Sequence, residues 1–269
     1  KTWSMSGGWS ERTAHLGVWL DPAHQGTGWR VDRPLTGAPA DREPTRLNAE
    51  DLILSIDGLP LDPAMDPTLA LNGAKDRTLR LVVRAPNGDE REVDLLTITW
   101  NKARELVKEM WIQDNAAMVD SLSDGRFGYL HIDKMSQENF DRFQHEVLQQ
   151  GYDKEAMVID VRNNEGGYIA DRLLTMLCRP IHAWTRPRDG EISYPRGYLP
   201  YGSWDKPVIV LCNQYTASNG EIFSHAIKSL KRGKVLGVQT QGSVISMPKE
   251  DVLDIGELPV PRRGWFVLG

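Results

Sequence analysis

The stretch Val208-Ile209-Val210-Leu211-Cys212-Asn213-Gln214-Tyr215-Thr216-Ala217-Ser218-Asn219-Gly220-Glu221-Ile222-Phe223 runs from an unbroken apolar segment, through a polar loop, into helical spacing. Five consecutive apolar residues fit a strand buried on both faces. The loop delivers a serine to the mouth of the following helix, whose inner face is expected to carry Ile222, Phe223, Ala226, Ile227 and Leu230. Strand, loop and helix in this order form the repeating unit of an α/β layer fold with mainly parallel pairing.

The same order recurs on either side. Upstream, Tyr129 to Ile132 reads as a strand, and Ser136 can cap a helix that buries Phe140, Phe143, Val147 and Leu148. Ala156 to Val161 is a second apolar strand, followed by a loop through Gly167 and a helix over Tyr168 to Leu177. Downstream, Val235 to Val238 supplies a fourth strand. A helix over Lys102 to Leu122, with Leu106, Met110, Ala117 and Met118 on one side and Gly125 ending it, precedes this core. Before the helix the texture is β. Runs at Leu16 to Leu20, Leu52 to Ile56 and Leu79 to Arg84 are split by turn residues, and Asn87-Gly88 signals a two-residue hairpin turn. The expected division is an N-terminal segment over 1–12, a small, mostly β domain over 13–99 and an α/β core over 100–269.

Composition narrows the function classes. With 269 residues, 40% hydrophobic and 26% charged, the chain is ordinary globular material. A net charge of −5 gives no basic field for a phosphate backbone, which argues against nucleic acid as partner. The longest apolar run is the five residues Val208 to Cys212, far short of the roughly 20 that a membrane-spanning helix needs. Cys178 and Cys212 lack metal-ligand spacing and read as core thiols, so no metal is expected. No phosphate-loop or dinucleotide fingerprint surrounds the glycine pair, and no cofactor is expected. No secretory signal opens the chain at Lys1, but a mature or truncated protein would show none either, so composition leaves the compartment open.

Two loops leave the carboxyl ends of core strands, the edge where open α/β sheets bind ligands. In Asp160-Val161-Arg162-Asn163-Asn164-Glu165-Gly166-Gly167 the paired glycines can bring bare amide N–H groups close to a ligand oxygen. In Thr216-Ala217-Ser218-Asn219-Gly220-Glu221 the serine sits where unpaired N–H groups and the helix dipole favour developing negative charge. Such a serine could attack a carbonyl. Locally, however, Ser218 followed by Glu221 is also a capping box, and the glycine pair is also a tight turn.

Taken together, the motifs resemble those of the C-terminal processing peptidases and, more closely, the tricorn-type serine proteases. Gly37-Ala38-Pro39-Ala40-Asp41 with Leu47 to Gly58 resembles the PDZ domain of these enzymes; Asp160 to Gly167 is similar to their Asp-x-Arg-x-Asn-x-Gly-Gly segment; Thr216 to Phe223 looks like their nucleophile loop. The resemblance implies a PDZ-like domain followed by a crotonase-like α/β peptidase core. Ser218 would be the nucleophile, with the amides of Asn219 and of Gly166 or Gly167 as the oxyanion hole. His15-Leu16-Gly17-Val18 resembles the carboxylate-binding loop, making Leu16, Gly17 and Val18 substrate-binding residues for a chain added as an extra strand. Asp189 lies roughly where tricorn-type enzymes carry an acidic residue favouring basic side chains. The implied partners are peptides or unfolded protein and other copies of the chain in a ring. The tricorn likeness implies the cytoplasm, whereas the processing peptidases are usually exported.

This sequence also departs from the family pattern. Where the processing peptidases place a lysine, about 25 residues after the serine, stands Ser243, so a Ser-Lys dyad is not expected. Tricorn-type enzymes use a histidine before the PDZ domain and a late acidic residue, and the chain is expected to be a fragment lacking both. His225 is seven residues beyond Ser218 on one helix, about 10 Å along the axis, out of direct reach. His131 falls in an expected buried strand and His15 in the PDZ-like strand, while His24, His145 and His182 have no motif around them. Two other readings remain open: a non-catalytic peptide-binding protein in which Ser218 caps a helix, and an acyl-CoA enzyme, against which the PDZ-like segment argues.

Overall fold

A computed structural model describes residues 12–180, 183–186, 188–192, 203–253, 255–261 and 263–267. The chain separates into two compact units, divided between Gln113 and Asp114. The division falls inside the helix that follows the β segment.

The first unit is an antiparallel β structure. Its elements are β1 (Ala14–His15), β2 (Val18–Leu20), β3 (Trp29–Pro34), β4 (Leu52–Ile56), β5 (Leu59–Pro60), a short helix α1 (Thr68–Leu71), β6 (Thr78–Arg84), β7 (Glu90–Leu96) and β8 (Ile98–Thr99). One sheet runs in the order β2-β3-β4-β6-β7, β5 adds to β4, and β1 pairs with β8. The period-two alternation is legible in the β6–β7 pair. Leu79 lies opposite Leu95 and Leu81 opposite Val93, all four buried, while Arg80 pairs Asp94 and Arg84 pairs Glu90 on the outer face. Each such buried aliphatic side chain contributes on the order of 1.5–3 kcal/mol.

Two expectations change here. The run Leu16 to Leu20 is not one strand. Gly17 takes φ 77° and its N–H donates to His15 Nδ1 at 2.9 Å, so the chain turns there between β1, which pairs with β8, and β2, which pairs with β3. The hairpin after β6 has a three-residue loop, Pro86-Asn87-Gly88. The Gly88 N–H donates to the Ala85 carbonyl and the Ala85 N–H to the Asp89 carbonyl. Proline in the second position of a type I turn, with Gly88 left-handed after it, is the three-residue solution.

Helix α2 covers Trp100–Leu122 and ends as expected, with the Gly125 N–H on the Asp120 carbonyl. Ala103 and Leu106 are buried with Leu35, Ala38 and Ile98. Ala117 and Met118 are exposed, so only the first half of the expected apolar stripe is covered by described residues.

The second unit holds a four-stranded parallel sheet of β9 (Phe127–His131), β10 (Ala156–Asp160), β11 (Val208–Cys212) and β12 (Gly233–Gly237), side by side in that order. Helices α3 (Gln137–Gln149), α4 (Ala170–Leu177) and α5 (Asn219–Ser229) connect or flank them. All five residues of β10 are buried, the reason that its sequence does not alternate. Met157, Ile159, Val208 and Val210 pack with Phe140, Phe143 and Val147 of α3, Leu173 and Met176 of α4, and Phe223 and Ile227 of α5. Leu148 and Leu230, expected inside, are exposed. Leu148 sits about 80° round the helix axis from Phe140, and Leu230 is the C-cap, where the chain leaves α5. A hairpin of β13 (Lys249–Val252) and β14 (Gly256–Pro259), not foreseen in the sequence, follows.

Candidate active site

β10 and β11 are parallel neighbours, so the loops that leave their carboxyl ends emerge at the same edge of the sheet. Side chains and backbone then stitch the two loops together. The Asn163 N–H donates to Asn213 Oδ1 at 3.0 Å, and Asn213 Nδ2 returns a bond to Asn163 Oδ1 at 2.9 Å. The Thr216 hydroxyl donates to the Val161 carbonyl at 2.7 Å, and the Ala217 N–H to the Asn164 carbonyl at 2.8 Å. Asn219 Oδ1 accepts the Ala170 N–H at 2.8 Å.

Ser218 stands at the N-cap of α5 with φ 49° and ψ −116°. An ordinary capping residue has extended dihedrals. Ser136, which caps α3, has them: φ −105° and ψ 164°, with its side chain accepting the Asn139 N–H. Ser218 is therefore held in a conformation that costs a non-glycine residue of order 1–3 kcal/mol. The partner loop comes right up to it. A β-carbon placed on Gly166 would lie 2.6 Å from Ser218 Cβ and 3.3 Å from its Oγ. Only glycine allows that approach, and its φ of 83° also favours glycine.

The two glycines differ in one decisive respect. The Gly166 N–H already donates to Asn164 Oδ1 at 2.8 Å. The Gly167 N–H donates to no group among the described residues, and Gly167 is exposed. The Asn219 N–H, the first of α5, is one of the donors that a helix leaves without an internal acceptor.

In the sequence Glu221 is the fourth residue of a capping box and part of the stretch that resembles the nucleophile loop. In the fold it is 7% exposed, and its carboxylate gathers five backbone or hydroxyl donors: the Ser218 N–H at 2.8 Å, the Thr240 hydroxyl at 2.8 Å, the Gly242 N–H at 2.6 Å, the Ser243 N–H at 2.9 Å and the Ser243 hydroxyl at 3.4 Å. Burial pushes this carboxyl up, but the bonds from Thr240, Gly242, Ser243 and Ser218 outweigh it and hold its pKa below the usual range. Ser243, at the position where the resembling enzymes carry lysine, is thus tied to the nucleophile loop through Glu221.

Behind the glycine loop, Asp160 is fully buried. It accepts bonds from Arg162 Nε at 2.9 Å and from the Tyr129 hydroxyl at 2.8 Å, and Arg162 also reaches Asn115 Oδ1. The hydrogen bond from Arg162 to Asp160 raises the pKa of the guanidinium; burial and the adjacent carboxylate raise that of Tyr129.

The other sequence candidates have surroundings of their own within their units. His225 is exposed on α5, and His131 is buried with Nε2 near the Arg162 carbonyl. His15 packs edge-on against Trp100 at 4.7 Å, and burial lowers its pKa. His145 lies in α3, His24 is near the Thr27 carbonyl, and His182 lies outside the described residues. Asp189 is exposed in a turn. Leu16 and Val18 are buried side chains of the first unit, and both backbone groups of Gly17 are engaged, the N–H by His15 Nδ1 and the carbonyl by the Leu35 N–H. Strand β2, which follows Gly17, lies at the edge of its sheet. Cys212 is buried and Cys178 half-buried, both free thiols, and burial raises the pKa of each.

A family model described as "Peptidase family S41" matches residues 126–264, which contain both loops and all four core strands, and the chain belongs to this peptidase family. It is 32% identical over 256 residues to "Tricorn protease homolog 1" of Streptomyces coelicolor, spanning 91% of this chain and 23% of that protein. It is 28% identical over 221 residues to the "Carboxyl-terminal-processing protease" of a Synechocystis strain, spanning 78% of this chain and 48% of the relative. The crystal structure of the tricorn protease superposes with a TM-score of 0.69 at 22% identity, over 89% of this chain and 23% of that one. The chain thus spans less than a quarter of these two tricorn proteins and about half of the processing protease.

Proposed function

We propose that this chain carries the nucleophile and oxyanion hole of a serine-type peptidase acting on peptides or protein C-terminal segments. The observation that carries this reading is the backbone of Ser218, left-handed at a helix mouth and faced so closely by Gly166 that a β-carbon there would stand 2.6 Å from the serine's own. A serine serving only as a cap has no use for that strain.

In this reading Ser218 Oγ adds to the substrate carbonyl carbon while the π electrons move onto the carbonyl oxygen. That oxygen accepts hydrogen bonds from the Gly167 and Asn219 N–H groups, aided by the positive end of α5. Each such donor contributes about 10²- to 10³-fold in turnover. Collapse then breaks the C–N bond, releasing the amine and leaving an acyl-serine for water to hydrolyse. The serine proton must pass to a base and from it to the departing amine nitrogen, and no described histidine is hydrogen-bonded to Ser218. The first unit is read as PDZ-like, with the edge strand β2 as the place where an extended peptide adds, and the second as a crotonase-like peptidase core. Glu221, three residues after Ser218, fits the competing capping-box reading as well, so the two need separating by activity. In the full-length protein Ser218→Ala should abolish release of fluorophore from fluorogenic peptides while the thermal midpoint holds. Undiminished hydrolysis by that variant would put the nucleophile elsewhere, and a folded wild-type protein that hydrolyses nothing would leave the non-catalytic peptide-binding reading.

A further inference from the structure

Resting on that reading and deepening it, we infer that Asn164 is the positioning residue that sets the oxyanion hole and commits Gly167, not Gly166, as its donor. Asn164 is fully buried, and each polar group of its side chain is engaged at close range. Its Nδ2 donates to the Ile132 carbonyl at the end of β9 at 2.7 Å, and its Oδ1 accepts the Gly166 N–H at 2.8 Å. Its main-chain carbonyl accepts the Ala217 N–H at 2.8 Å, one residue before the nucleophile. Its Oδ1 also lies 2.7 Å from where a β-carbon on Gly220 would stand, in the first turn of α5.

One residue, through its side chain and its main-chain carbonyl, therefore ties the end of β9, the glycine loop and the nucleophile loop to a common point. The consequence is geometric. With its N–H turned inward to Asn164, Gly166 presents its Cα to Ser218, and the next peptide is turned so that its carbonyl-side neighbour Gly167 keeps a free N–H at the exposed edge. The Gly166 carbonyl accepts the Met135 N–H and the Met135 carbonyl accepts the Tyr168 N–H, which fixes the peptides on both sides of Gly167. Without Asn164, Gly166 has a buried N–H to satisfy and the loop has reason to rotate, which displaces the Gly167 donor. Displacement by about 1 Å in such a site can cost about 10²-fold.

The test is inactivation of the full-length protein by a fluorophosphonate, resolved into the maximal rate kinact and the half-saturating concentration KI. Asn164→Leu removes both side-chain bonds; Asn164→Asp keeps an acceptor for the Gly166 N–H. The expected result is a kinact about 10²-fold lower for Asn164→Leu, an intermediate loss for Asn164→Asp, and an unchanged KI for both. If Asn164→Leu does not fold, Asn164→Asp alone decides, a lowered kinact at unchanged KI being the supporting outcome. A wild-type kinact in either folded variant, or a loss confined to KI, overturns the inference while the functional reading stands. Failure of the wild-type protein itself to react at Ser218 overturns both.

Discussion

Ser218 and Glu221 hold each other through both backbone and side chain: the Ser218 N–H donates to Glu221 Oε2 at 2.8 Å, and the Glu221 N–H donates to the Ser218 carbonyl at 2.9 Å. The same carboxylate holds Thr240, Gly242 and Ser243, so the helix mouth and the 240–243 loop share one anchor. Because the folded carboxyl has a lowered pKa, its contribution is fully present above the ordinary glutamate pKa and is lost as pH falls through the folded value. Glu221→Gln should therefore lower stability at neutral pH by about 1.5–3 kcal/mol, with the gap to wild type closing under acid. Urea unfolding at several pH values measures it; a gap independent of pH would contradict the anchor.

Gly166 tests the approach of the two loops. Gly166→Ala puts a β-carbon 2.6 Å from Ser218 Cβ at a residue whose φ is 83°. The expected cost is about 1–3 kcal/mol in denaturant unfolding, together with a fall of about 10²-fold or more in fluorophosphonate reactivity. Wild-type reactivity in a folded Gly166→Ala protein would mean that the loops do not need this contact.

The buried ion pair behind the site makes a graded prediction. Arg162→Met strands the fully buried Asp160 without its guanidinium and should cost about 3–5 kcal/mol. Tyr129→Phe removes one hydrogen bond to the same carboxylate and should cost about 1.5–3 kcal/mol. Urea midpoints of the two variants should fall in that order; the reverse order would mean that Tyr129, and not Arg162, compensates the buried charge.

The core strands were readable because burial on both faces leaves an unbroken apolar run, and Val208–Cys212 matches its strand residue for residue. The resemblance, on Asp160 to Gly167 and Thr216 to Phe223, led to the family, whose model spans both loops. The roles of Asn164 and Glu221 were hidden for a different reason. Each is defined by partners far along the chain, Ile132 for one and Thr240 to Ser243 for the other, and no local spacing encodes them. The S-x-x-E signal was visible but described only half of what Glu221 does. Gly17 went astray similarly: its place in an apolar run suggested a strand, and the His15 ring that diverts its N–H has no signature in sequence. Ala117 and Met118 have helical spacing, but spacing says where a stripe points and not whether a neighbour covers it.

The central claim, that Ser218 is a nucleophile facing a prepared oxyanion site, is tested most directly by treating the full-length protein with a fluorophosphonate and mapping the adduct by peptide mass spectrometry. The account predicts a single modified peptide carrying the probe on Ser218, absent from Ser218→Ala. A folded protein that takes up no probe, or takes it up on another residue, would contradict it.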